Sequence, residues 1–303
     1  MDSWLLEMIN ETTIHPVLDV VMVGLSTAGL VALPLMGLLL LQRGHKRLGR
    51  ALLWALVGSL LFTFIFYGLA MRSRPVGMRL ILSAPPLPSF PSGHAALAFA
   101  AATVLLLGLP ELTAQARWRK ALWICCILMG ATLISYSRIY LGHHYPSDVL
   151  AGMVVGCAVG AAAYGIVATG QSGAARWRWL LWPQVAVVIL VTQMAYMVML
   201  PLTLLDWPYS DKVLHFSLFG MVAFWLNLWT GGKKVHVYGM ALPLAIVIPL
   251  SLAFTEECLQ QFSPVRTFDL VDLTGDALGM CTLWWMSERF LTEQTNDAHL
   301  IEL

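Results

Sequence analysis

Three polar stretches in an otherwise apolar chain hold the side chains best suited to chemistry. They are Arg74-Pro75, Pro91-Ser92-Gly93-His94, and Ser137-Arg138 followed by His144 and Asp148 within SRIYLGHHYPSD. Ser92 stands directly before an apolar run, where it can cap a helix, and the first-turn amides around Gly93 and His94 then form an anion site. Gly93 lacks the Cβ that would hold a ligand off the backbone. Arg74 and Arg138 supply planar forks suited to phosphate oxygens. Two histidines on opposite sides of that anion can divide the work of breaking a phosphoester, one as nucleophile and one as proton donor. Pro146 stops a helix from running back through Tyr145, which puts His144 at a loop edge and Asp148 in the first turn of the next helix. The helix dipole favours a carboxylate there, and it can orient one imidazole nitrogen while the other stays free to attack. This scheme needs no metal, and the outer carboxylates of this part of the chain do not cluster as an oxygen cage. No cofactor motif is indicated.

For these stretches to meet, the elements between them must return each to the same side of a membrane. Of the 303 residues, 58% are hydrophobic and only 12% charged, whereas soluble domains carry about 25% charged residues. The mean hydropathy of +0.74 points the same way. This excludes a water-soluble globule, and a net charge of +1 leaves no surplus for binding nucleic acid. Apolar stretches at 17–41, 51–70, 94–109, 121–137, 149–168, 180–200, 213–229, 235–254 and 271–287 are near the length that a bilayer's hydrocarbon requires. They predict an all-α polytopic membrane helix bundle of about nine transmembrane helices, in which alternation brings the three polar stretches to one face. The polar stretch TGQSGAARWR, from Thr169 to Arg178, is expected to divide a five-span domain, 1–170, from a four-span domain, 171–303. The first fifteen residues, with Asp2, Glu7, Glu11 and Trp4, read as an interfacial segment rather than a signal peptide.

Cytoplasmic loops carry the excess of Lys and Arg. If the first span runs inward, twelve of the 18 cations fall on the cytoplasmic side. Six, Arg72, Arg74, Arg79, Arg138, Lys212 and Arg266, fall on the other. The expected orientation places the N-terminus outside and the C-terminus inside, in a bacterial inner membrane with the active site on the periplasmic side.

The motif blocks resemble the PAP2 family, the type 2 phosphatidic acid phosphatases, whose signature is K-x6-R-P, then P-S-G-H, then S-R-x5-H-x3-D. The second and third blocks match in full, and the resemblance covers roughly residues 15–170. It implies His144 as the nucleophile that forms a phosphohistidine, Asp148 as its orienting partner and His94 as the acid that protonates the leaving group. Arg74, Arg138, Ser92 and Gly93 would hold the phosphoryl oxygens. In the first block Tyr67 occupies the lysine position, where a neutral phenol cannot supply the charge; Arg72 or Arg79 are the candidates to replace it. Tyr67, Arg72, Ser137 and His143 are therefore auxiliary positions.

The second half carries a further polar set, Asp211, Lys212 and His215 in DKVLHF, Glu257, Gln260 and Arg266 in EECLQQFSPVR, then Asp272, Asp276 and Gly279. Buried carboxylates near a membrane face a cavity or a partner cation. This set is similar to the VanZ-like family in D-K-x2-H, E-x2-Q-x5-R and D-x3-N-x2-G, with Asp276 replacing the Asn. Together the readings imply an enzyme that hydrolyses a lipid phosphate or diphosphate with its tail left in hydrocarbon. Undecaprenyl diphosphate, phosphatidylglycerophosphate and phosphatidic acid all fit. A phosphotransferase using the same histidine, or a non-catalytic lipid-binding or transport protein, are the alternatives.

Overall fold

The computed structural model describes residues 2–112, 117–171, 173–200 and 209–301. The chain forms two compact units, Met1–Thr169 and Gly170–Leu303. It is a polytopic membrane protein, almost entirely helical, and six of its described helices are long and apolar enough to cross a bilayer.

The first unit begins with α1 (Asp2–Thr12), followed by α2 (Pro16–Gln42), α3 (Lys46–Ala70), α4 (Gly93–Leu107), the single turn α5 (Leu109–Leu112), α6 (Arg117–Tyr140) and α7 (Pro146–Ala163). A π-helical turn, Tyr164–Ala168, extends α7. Pro16 and Pro146 both sit in the first turn of their helices, where a missing N–H costs nothing. Large apolar side chains such as Val20, Trp54, Leu61 and Leu150 point outward, as they do when the solvent is lipid. Between α4 and α7 the interior is built from small residues, because apolar surface gains little by leaving lipid and close backbone packing has to replace it. Ala95, Ala96, Ala98, Ala100, Ala101 and Ala102 of α4 are all buried. Opposite them on α7, Gly152, Gly156 and Gly160 recur every fourth residue. A Cβ on Gly156 would lie 2.3 Å from the Ala96 carbonyl oxygen, and one on Gly152 the same distance from that of Ser92. This contact fixes α4 against α7, and so the start of one helix against the start of the other.

α3 ends at Met71, a left-handed C-cap with φ 44°. The chain then runs through residues 71–92 with no regular secondary structure before α4 begins. This long loop carries Arg72, Arg74, Arg79 and Ser89. On α1, Asp2, Leu6 and Asn10 share one face by their four-residue spacing. Leu6 is buried with Ala95, Ile139 and Val149, and Asn10 bonds the backbone of Arg79 and Tyr140.

The second unit holds α8 (Gly173–Trp177), a 3₁₀ turn at Arg178–Leu180, α9 (Leu181–Tyr196), α10 (Ser210–Thr230), a hairpin of β1 (Lys234–Val237) and β2 (Met240–Pro243), α11 (Leu244–Gln260) and α12 (Leu270–Ile301). Each of the nine apolar stretches coincides with a helix, but the eighth corrects the expectation. Nearly half of it is the antiparallel hairpin, registered Lys234↔Pro243 through Val237↔Met240. The Tyr238-Gly239 turn has positive φ at both positions, 49° and 80°, the geometry that two-residue hairpins require. α12 packs on α10 where Gly279 meets the Phe216 carbonyl, 2.1 Å from where a Cβ would stand.

Candidate active site

Four elements of the first unit converge at one end of it. The loop after α3 supplies Arg72, Arg74 and Ser89; the start of α4 supplies Ser92, Gly93 and His94; the end of α6 supplies Arg138; the α6–α7 turn and the first turn of α7 supply His143, His144 and Asp148. Ser92, Arg138, His143, His144 and Asp148 are all buried.

The hydrogen bonds of His144 define its tautomer. Nδ1 lies 2.7 Å from the Ser89 carbonyl oxygen, which can only accept, so Nδ1 carries the hydrogen. Nε2 lies 3.2 Å from Arg74 Nη1, which can only donate, so Nε2 presents its lone pair. Burial holds the His144 pKa well below its ordinary value, and the positive charges of Arg74 and Arg138 add to the effect. Arg74 is itself fixed by backbone oxygens, through Nε to Leu87 at 2.8 Å, Nη1 to His143 at 2.9 Å and Nη2 to Pro88 at 3.3 Å. His94 lies close enough to Arg138, His144, His143 and Arg74 to interact with the charge of each.

Asp148 differs from the expected orienting partner. Its carboxylate is 3.7 Å from His144 Nδ1, a nitrogen already taken by the Ser89 carbonyl. One carboxylate oxygen accepts from Arg72 and the other from the Tyr145 amide at 2.9 Å, closing a capping box at the start of α7. Its own carbonyl accepts from the Ser92 amide at 2.8 Å and so ties the two motif blocks together.

Neither arginine offered as a substitute for the missing lysine is free. Arg79 makes a bidentate pair with Asp19 at 2.9 and 3.0 Å. Arg72 bonds Asp2 at 2.8 Å and Ser147 at 2.8 Å besides Asp148, and lies 4.0 Å over the Tyr145 ring. Burial alone would lower the Arg72 pKa, but Asp148 and Asp2 raise it beyond its ordinary value. Tyr67 instead places its hydroxyl at the anion cradle, bonded to the Gly93 amide and the Arg74 guanidinium. That oxygen is 3.6 Å from where a Cβ on Gly93 would stand.

Arg138 donates to Ser26 on α2 and, at 2.6 Å, to His143 Nδ1. The opposite nitrogen of His143 bonds the Leu82 carbonyl at 2.9 Å, so His143 braces Arg138 rather than facing the anion position. Ser137 turns away, donating to the Ile134 carbonyl at 2.6 Å. Ser92 occupies the N-cap position of α4 without capping it. Its hydroxyl and Arg138 Nε are buried with no partner, two donors available to an anion. Asp2, Ser26 and Ser89 escaped sequence reasoning: two are remote in sequence and one acts through its backbone.

The second unit has its own polar cluster. Lys212 Nζ bonds Asp211 at 3.0 Å, Asp269 at 2.8 Å and Asp272, while His215 Nδ1 bonds Asp276 at 3.0 Å. Glu257 accepts from the Asp269 amide at 3.0 Å and from Gln260 at 3.1 Å. Arg266 lines a cavity of about 90 Å³ with Asp211, His215 and Glu256. Among the described residues, no group of three or more His, Cys, Asp or Glu side chains is arranged to hold a metal ion.

Comparison with known proteins fits the motif blocks. The family model described as the PAP2 superfamily matches residues 48–171. The chain is 33% identical over 144 residues to an undecaprenyl-diphosphatase of Sulfolobus acidocaldarius, covering 46% of this chain and 65% of that one, so it spans just under two thirds of that relative's length. It is 30% identical over 156 residues to the undecaprenyl-diphosphatase BcrC of Bacillus subtilis, covering 48% of this chain and 73% of that one. The crystal structure of LpxE from Aquifex aeolicus aligns at 28% identity and a TM-score of 0.44, over 54% of this chain and 93% of that one. With the second and third signature blocks intact and the family model lying over them, the chain belongs to the PAP2 superfamily.

Proposed function

We propose that the chain hydrolyses the phosphate or diphosphate of a membrane lipid, without a metal ion, through a phosphohistidine on His144. The observation that carries this reading is the state of the His144 ring. Its Nδ1 hydrogen is committed to the Ser89 carbonyl and its Nε2 lone pair faces Arg74, so it is a nucleophile that needs no separate base. Nε2 attacks phosphorus in line while Arg74, Arg138 Nε and the Ser92 hydroxyl hold the non-bridging oxygens, joined by the Gly93 amide as it exchanges the Tyr67 hydroxyl for the substrate. The bond from phosphorus to the leaving oxygen breaks, and that oxygen takes a proton from His94. Neutral His94 then takes a proton from the water that attacks the phosphohistidine, which frees His144 and releases inorganic phosphate. Asp148 works at one remove, anchoring Arg72 and the start of α7, with its carboxylate near enough to steady the ring as charge develops on it.

Two of the relatives are named undecaprenyl-diphosphatases, which makes a polyprenyl diphosphate the first substrate to test. Residues 1–170 carry the chemistry, and residues 171–303 form a VanZ-like membrane domain around Lys212, His215 and their carboxylates. The site faces the extracytoplasmic side, and the lipid enters laterally from that leaflet. Phosphate release from undecaprenyl diphosphate by the purified chain tests the reading. His144→Ala is expected to slow it by about 10³-fold or more with helix content unchanged, and wild-type activity is expected to survive EDTA. Activity lost in EDTA and restored by Mg²⁺, or a wild type no faster than His144→Ala, overturns the proposal.

A further inference from the structure

Directly beneath the polar layer of the first unit lies an apolar chamber of about 600 Å³ between α2, α4 and α6, within the range of small-molecule and cofactor sites. Its upper rim is one helical turn below the layer on each wall. Gly29 follows Ser26 on α2, Ile134 precedes Arg138 on α6, and Ala98 follows His94 on α4. The same three helices therefore carry the polar layer and wall the chamber, which is open on its lipid-facing side past Trp123 and Cys126. Its far end is marked by Leu112 and Arg43, and among the described residues Arg43 is the one charged residue in its lining. From Gly29 to Arg43 the α2 wall runs about 20 Å at ~1.5 Å per residue, more than the ~15 Å depth of one leaflet's hydrocarbon.

We infer that this chamber receives the hydrocarbon tail of the lipid whose phosphate lies against His144 and Arg74, so that the tail lies in the cleft between α2, α4 and α6 rather than free in the surrounding bilayer. The inference rests on the hydrolase reading for the position of the head group, and on the chamber's own walls for the chemistry of its occupant. An apolar lining leaves a polar ligand's groups without partners. The chamber's place one helical turn from the anion layer selects a chain attached to a phosphate over an unattached hydrocarbon. Its depth favours tails that pass the bilayer midplane. At the neck, the Ile134 side chain lies against Gly29, 3.0 Å from where a Cβ on that glycine would stand, so the tail passes beside Ile134.

Two measurements test this in the full-length chain. Gly130 lines the chamber, and a Cβ there would meet nothing within 4 Å, so Gly130→Phe projects its ring into the open space. The ratio of kcat/KM for undecaprenyl diphosphate to that for farnesyl diphosphate should fall about tenfold, since displacing even two methylene groups suffices for that. An unchanged ratio overturns the inference. Independently, Cys126 also lines the chamber. In a chain whose other four cysteines are serine and whose His144 is alanine, undecaprenyl phosphate should slow N-ethylmaleimide labelling of Cys126 several-fold, while inorganic phosphate should not. Labelling that proceeds as fast with the long-chain lipid as without it overturns the inference whatever the hydrolysis assay gives. Protection of Cys126 in a protein whose wild type releases no phosphate removes the hydrolase reading and leaves the chamber's occupant standing.

Discussion

At the residue scale the His144 ring makes a pH prediction. Its pKa is held well below about 6.5, so the nucleophilic nitrogen stays unprotonated as pH falls through the ordinary histidine range. The acid limb of kcat/KM, which reports the free enzyme, is expected well below pH 6.5; a limb centred at or above 6.5 would assign it to another group. The same depressed pKa stabilises the fold above pH 6.5, and that contribution is lost as acid drives a proton onto the buried ring. Tyr67 makes a second prediction, because its hydroxyl bonds two groups of the anion cradle, the Gly93 amide and Arg74. Tyr67→Phe should lower kcat/KM by about tenfold or more, the scale of a hydrogen bond to a charged group at about 1.5–3 kcal/mol. Tyr67→Lys should raise the rate on diphosphates relative to monophosphates by adding a third cation. Equal kinetics for tyrosine and phenylalanine would show the hydroxyl to be idle. Spacing in the sequence sufficed to bring Arg74, Ser92, Arg138 and His144 into one layer, because each sits at a helix end or in a loop whose place follows from alternation of spans. The partner of His144 Nδ1 was not legible, since a backbone carbonyl can belong to any residue and only the folded path of 71–92 selects Ser89.

At the element scale, the fold rests on devices that composition hides. Nine apolar stretches are enough to read a membrane bundle, but they do not say which faces meet. On α7 the four-residue repeat of Gly152, Gly156 and Gly160 sets that, and a hydropathy profile does not distinguish glycine for packing from glycine for turning. The hairpin at Lys234–Pro243 was missed for the converse reason: Val, Tyr and Met raise hydropathy as well in a strand as in a helix. α1 shows how an apparently peripheral segment acts on the site. Asp2 accepts from the Ser147 amide at 3.1 Å and from Arg72 at 2.8 Å, so the first helix holds both the start of α7 and the arginine that anchors Asp148. Asp2→Asn is expected to cost about 1.5–3 kcal/mol, the value of a charged hydrogen bond, seen as a lower melting temperature. It should also reduce kcat more than it raises KM, because Arg72 and Asp148 position the reacting groups without binding the head group. Unchanged stability and kinetics would reduce α1 to a surface helix.

At the scale of the whole molecule, the arginines at the His144 end of the first unit have to be reconciled with a rule that places positive charge in the cytoplasm. In the first unit four arginines lie at that end, and each has a defined partner. Arg72 is held by Asp2 and Asp148, Arg79 by Asp19, Arg74 by three backbone oxygens, and Arg138 by Ser26 and His143. In the second unit Lys212 is enclosed by three aspartates. The rule counts cations in short loops because free charge resists translocation, whereas cations neutralised by carboxylates or fixed around an anion site are part of the folded structure. At the opposite end of the first unit, Arg43, Lys46, Arg47, Arg50, Arg117, Arg119 and Lys120 form no ion pair among the described residues. Discounting the engaged arginines sharpens the bias and argues for an extracytoplasmic site. Replacing the five native cysteines by serine and introducing one cysteine at a time tests this on intact cells with a membrane-impermeant maleimide. Val76→Cys, exposed in the loop after α3, should label directly, and Gln42→Cys, at the far end of α2, only after permeabilisation. The reverse pattern would put the His144 layer in the cytoplasm and require the lipid to enter from the inner leaflet.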